Sequence, residues 1–80
     1  MVNFKKFKKG DRVRVCWIDS YTLGVMSHLG VSSPVGRTGT VVETRFNPNM
    51  ARYGEGNEVL VNMDGTVINT LWCDKNLELI

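Results

Sequence analysis

Eighty residues with 42% hydrophobic and 22% charged side chains make one ordinary small folding unit, too short for an enclosed cofactor crevice plus a second lobe. The composition excludes disorder, and two cysteines exclude a disulfide scaffold. The formal charge of +2 averages two regions: residues 1–14 carry six basic side chains and one acidic, residues 15–80 four basic and seven acidic.

The N-terminal segment interleaves Phe4 and Phe7 with Lys5, Lys6, Lys8 and Lys9. Lysines neutralise phosphates and an exposed ring stacks on a base; alternatively the two rings cap the core and the lysines keep the surface in water. No basic-then-apolar leader with a small-residue cleavage site follows, so a cytoplasmic protein without a membrane anchor is expected.

Val13, Val15 and Trp17 alternate with Arg12, Arg14 and Cys16, the period of a half-buried strand. The alternation places Trp17 in the core. From Ile18 to Val35 there is one formal charge, Asp19, beside Tyr21, Leu23, Val25, Met26, Leu29 and Val31. Spacings of three and four among these residues allow one helical turn, which Gly24 and Gly30 limit. Such a connection either folds back on the core or shows an apolar surface that another protein covers.

Thr38 to Phe46 is rich in β-branched residues and reads as a second strand, bent near Gly39. The loop from Phe46 to Asn57 carries Met50, Arg52 and Tyr53, residue types enriched at interfaces. Glu58 to Met63 alternates, with Val59, Val61 and Met63 on one face. Asp64-Gly65 then predicts a two-residue hairpin, and Thr66 to Cys73 the returning strand. Trp72 has no clear face and is a candidate anchor. Leu77, Leu79 and Ile80 form a short last strand. Five short strands with glycine-bearing turns predict an all-β domain spanning residues 1–80: a single five-stranded barrel with a long loop between its first two strands, its edges closed.

Lys9-Gly10-Asp11-Arg12-Val13-Arg14-Val15, Gly36-Arg37-Thr38-Gly39-Thr40-Val41-Val42, Val59-Leu60-Val61 and Asn76-Leu77-Glu78-Leu79-Ile80 together resemble the SH3-like barrels of the KOW type. These motifs describe turns and inward valines, so they bear on fold more than on function. The insertion at residues 18–35 departs from the compact pattern and resembles the variable chain of ferredoxin–thioredoxin reductase. The opening strand is also similar to the small stromal subunit of photosystem I. The resemblance implies non-catalytic work in RNA binding or as an accessory subunit, including one of a redox complex.

Chemistry finds few residues to stand on. His28 is the single histidine, no triad or nucleophile elbow surrounds the serines, and no paired carboxylates stand out. Cys16 and Cys73 lack the C-x-x-C spacing of a zinc site and read as free thiols. No phosphate-binding glycine motif is present. No enzyme activity, cofactor or metal is expected. The preferred expectation is a protein-binding module using Tyr21, Leu23, Met26, Leu29, Met50, Arg52, Tyr53 and Trp72. The alternative is nucleic-acid binding through Lys5, Lys6, Lys8, Lys9, Arg12, Arg14, Arg37 and Arg45.

Overall fold

A computed structural model of the chain describes residues 7–80. Phe4, Lys5 and Lys6 lie outside the described residues. Five strands, β1 (Arg12–Val15), β2 (Thr38–Phe46), β3 (Asn57–Met63), β4 (Asn69–Cys73) and β5 (Leu77–Leu79), form one antiparallel sheet in the order β4-β3-β2-β1-β5. The fold is all-β with a long connection between its first two strands, as the alternation and turn residues predict. Helix α1 (Ser20–His28) lies in that connection, the single-turn helix α2 (Pro48–Ala51) between β2 and β3, and a 3-10 turn (Asp74–Asn76) before β5.

Val13, Val15, Val41, Val59, Val61, Met63 and Leu77 are buried from one face of this sheet, with Ile18 beside them. A flat sheet has nothing to cover one face so completely, so the sheet must curl upon itself. Phe7, Leu23 and Trp72 pack around this core. The 3-10 turn packs on β3 and β5, and buried Asn76 holds it in place. Its side chain donates to the Trp17 carbonyl at 2.9 Å and accepts from the Cys73 N–H at 3.1 Å, while its carbonyl accepts from Cys16 N–H at 2.7 Å.

Several local expectations are corrected. The period of β1 stops at Val15, because Cys16 and Trp17 both turn their N–H groups to Asn76 O. Ile18 is therefore buried in place of Trp17, which is 46% exposed. The irregularity of β2 falls between Val41 and Glu43, where Val42 is an extra residue opposite β3. Gly39 is instead a point of close approach: a Cβ there would stand 2.6 Å from Val61 Cγ1 and 2.7 Å from Asn62 O.

The Asp64-Gly65 hairpin is longer than two residues. Only Gly65 takes positive φ, at 81°, and Thr66 N–H returns to Met63 O at 3.2 Å, the pattern of a type II turn. Thr66 Oγ1 then bonds both Met63 O and Ile68 O, so Thr66 to Ile68 stay out of the ladder and β4 begins at Asn69. Lastly, β4 and β5 do not pair with each other, so the sheet keeps two edges.

Candidate interaction surface

Residues 20–28 form nine residues of helix, not one turn, because both ends are capped. Asp19 takes the N-cap, its carboxylate accepting from Thr22 N–H at 2.9 Å and Thr22 Oγ1 at 2.7 Å. Those two bonds hold the Asp19 carboxyl below its ordinary range. At the other end Gly30, at φ 75°, donates to Ser27 O and Val31 N–H to Met26 O. That is a Schellman motif, in which only a left-handed residue completes the bonds. These caps outweigh the roughly 1 kcal/mol that Gly24 costs mid-helix.

None of the nine helical residues is buried. Leu23 and Met26 are half-buried, Leu23 against the core. Tyr21, Val25 and Leu29 stand four apart, on one side of the helix, with Tyr21 81% and Leu29 68% exposed. Val31 and Val35 are exposed beyond them. The apolar connection thus does both things allowed to it: Ile18 and Leu23 go inward, and a stripe stays in water.

A groove of about 330 Å³ opens beside the start of α1. Ile18, Asp19 and Thr22 line one wall, Met50 and Glu55 another, and Leu71, Trp72 and Cys73 of β4 the third. The two long connections therefore flank one surface. Glu55 and Lys75 close one side of it with an ion pair at 2.9 Å, and the Lys75 ammonium lies 5.5 Å from the Trp17 ring centre. The pairing with Glu55 raises the Lys75 pKa. Burial raises that of the Cys73 thiol, whose Sγ lies 2.8 Å from Asn76 Oδ1. The Trp72 indole Nε1 is buried and has no hydrogen-bond partner among the described residues.

Of the residues expected to bind a protein, Met50 and Trp72 line this groove, and Tyr21 and Leu29 lie on the outward stripe of α1. Arg52 caps α2, with its guanidinium 5.9 Å from the ring centre of exposed Tyr53. Val25 and Trp17, neither of them among the residues expected to bind a protein, join the exposed apolar set. The spacing of Tyr21, Val25 and Leu29, with Asp19 three residues before Thr22, is the signal that marks this face.

Among the described residues, three of the arginines expected to bind nucleic acid are held by carboxylates. Arg12 bonds both Asp64 oxygens, at 2.7 and 2.6 Å, Arg14 pairs with Glu78 at 2.8 Å, and Arg45 with Glu58 at 2.7 Å. Lys8 and Lys9 are exposed where the chain turns into β1, and Arg37 is exposed in the turn before β2. Lys5 and Lys6 lie outside the described residues.

Cys16 and Cys73 are both free and half-buried. Among the described residues no three His, Cys, Asp or Glu side chains gather as a metal site, and no helix is long and apolar enough to cross a membrane. No protein family, curated protein or solved structure matches the chain in the comparisons made.

Proposed function

We propose that the chain is a non-catalytic binding module that contacts another protein through the outward face of α1 and the groove beside it. The observation that carries this reading is the stripe of Tyr21, Val25 and Leu29 on a helix with no buried residue. A contiguous apolar surface on a small domain marks an interaction site, and α1 is apolar on its outward side, at Tyr21, Val25 and Leu29, as well as at Leu23 against the core. The resemblance to KOW-type barrels fits RNA binding as well, while the similarity to the variable chain of ferredoxin–thioredoxin reductase and the small stromal subunit of photosystem I fits an accessory, protein-binding role. The carboxylates on Arg12, Arg14 and Arg45 weigh against the nucleic-acid reading, because a paired guanidinium must first lose its partner to take a phosphate.

The test is a pair of substitutions, Tyr21→Ser and Leu29→Ser, in one variant. Both side chains are exposed, so the folded state should lose less than about 0.5 kcal/mol. Proteins retained from a lysate of the source cells by the unaltered chain should be lost with the variant. Retention of the same proteins by both overturns the assignment to α1.

A further inference from the structure

The outer edge of β4 is unprotected. Natural sheets guard their edges with charge, proline, bulges or a covering segment. Residues 65–73, Gly-Thr-Val-Ile-Asn-Thr-Leu-Trp-Cys, contain no charge and no proline. The other edge, β5, is three residues long and carries Glu78.

Which main-chain groups face outward follows from the ladder. Asp64 N–H donates to Thr38 O at 3.0 Å, making Thr38 and Asp64 a hydrogen-bonded pair. Alternation along β3 then turns Asn62 and Leu60 toward β2, and Val61 and Val59 toward β4. The partners of Val61 and Val59 are Thr70 and Trp72, so those two bond inward. Asn69, Leu71 and Cys73 point their main-chain groups away from the sheet. The Cys73 N–H confirms the phase by donating to Asn76 Oδ1. Asn69 and Leu71 keep N–H and C=O groups without a protein partner among the described residues.

We infer that this edge pairs with the β4 edge of a second copy of the chain, antiparallel, about a two-fold axis at Thr70. The register is dictated by the unpaired groups. With Thr70 opposite its own copy, Asn69 faces Leu71 of the second copy and Leu71 faces Asn69, so both pairs exchange two hydrogen bonds. The two sheets become one. The same register sets Ile68 opposite Trp72 of the second copy, near the otherwise exposed Ile68 and Val67, which are 70% and 97% exposed. A strand without charge places no like charges opposite each other when it meets itself. The edge shares Leu71, Trp72 and Cys73 with the groove but no residue with the Tyr21–Leu29 stripe, so the Tyr21→Ser, Leu29→Ser variant and the tests below can fail separately.

The expected result is a doubling of the 9.0 kDa mass in light scattering as concentration rises toward about 1 mM. Leu71→Pro deletes one outward N–H at a position where an edge strand tolerates proline; it should leave the circular-dichroism spectrum unchanged and hold the chain monomeric. Thr70→Cys, with Cys16 and Cys73 changed to serine, gives a second reading that does not depend on that proline. Directly opposed, non-hydrogen-bonded residues have Cα atoms about 4.5 Å apart, within disulfide range, so mild oxidation should give a covalent dimer. Asn69→Cys in the same background should not. A monomer at every concentration, or Asn69→Cys cross-linking as well as Thr70→Cys, overturns the inference. The monomer result would leave the edge open to a strand from another protein.

Discussion

Arg12 and Asp64 are 52 residues apart in sequence and meet through two parallel hydrogen bonds, Nη1 to Oδ1 at 2.7 Å and Nη2 to Oδ2 at 2.6 Å. Thr38 Oγ1 donates to the same carboxylate at 2.5 Å, and Arg12 Nη1 also reaches Thr40 Oγ1 at 2.9 Å. One side chain in the β3–β4 turn thus ties β1 to β2. It also holds the turn in the conformation that excludes the expected two-residue hairpin.

This cluster gives the chain an acid-sensitive limb. The hydrogen bonds from Arg12 and Thr38 push the Asp64 pKa far below its ordinary value of 3.8. A depressed folded-state pKa means that the unfolded chain binds the proton more readily. The stabilisation is therefore complete above about pH 4 and is lost as pH falls below it. Asp64→Asn should lower the melting temperature at pH 7, and the difference from the unaltered chain should shrink toward pH 2. Thermal melts at a series of pH values check this; a difference that does not change with pH refutes it.

Two glycines should respond oppositely to alanine. Gly24 is mid-helix in α1 with nothing within 4 Å of a built Cβ, so Gly24→Ala should stabilise by about 0.5–1 kcal/mol. At Gly39 the new methyl would meet Val61 Cγ1 and the Asn62 carbonyl. One obstacle is main chain paired in the ladder, so Gly39→Ala should cost about 1–3 kcal/mol. Urea melts of both variants measure the two signs.

The strands were legible because their signal is local. Val13 and Val15, and Val59, Val61 and Met63, recur at every second position and are buried in the structure. Thr38 to Phe46 is a strand from end to end. What failed depended on partners distant in sequence. Trp17 leaves the core because Asn76 captures the main chain around it, and the hairpin widens where Asp64 is held by Arg12. Helix α1 was hidden for a different reason. Gly24 and Gly30 both read as breakers, yet Gly30 is the cap that completes the helix. At the surface, the pairing of the arginines was not legible, because their carboxylate partners lie 13 to 64 residues away.

Asn76 should be the most sensitive polar position. Its amide joins the 3-10 turn to the end of β1 and to Cys73. Asn76→Ala would leave the Trp17 carbonyl and the Cys73 N–H without these partners, at about 1–3 kcal/mol for each group kept from water. The Cys73 thiol, its pKa raised chiefly by burial, should react slowly with iodoacetamide at pH 8 in the folded chain, since the thiolate is the reactive form. In the Asn76→Ala variant its alkylation should accelerate. Mass spectrometry of the alkylated peptides separates Cys73 from Cys16; equal Cys73 rates in the two chains would show that Asn76 does not hold this corner shut.

The charge distribution sets the last expectation. Arg12, Arg14 and Arg45 are occupied by Asp64, Glu78 and Glu58, which leaves Lys8, Lys9, Arg37 and Arg52 as exposed cations with no carboxylate pairing among the described residues. Single-stranded RNA should then bind at physiological salt no more tightly than about 0.1 mM, the weak end of non-specific association. Each phosphate neutralised on a single strand adds about 0.7 to the slope of log affinity against log salt, so four contacts give a slope of about −3. Changing Lys5, Lys6, Lys8 and Lys9 to glutamine should weaken this binding further and take at least the Lys8 and Lys9 share, about 1.4, off the slope. Micromolar binding with a slope steeper than about −4, abolished by those four substitutions, would make the N-terminal segment the working surface and displace α1 from that role.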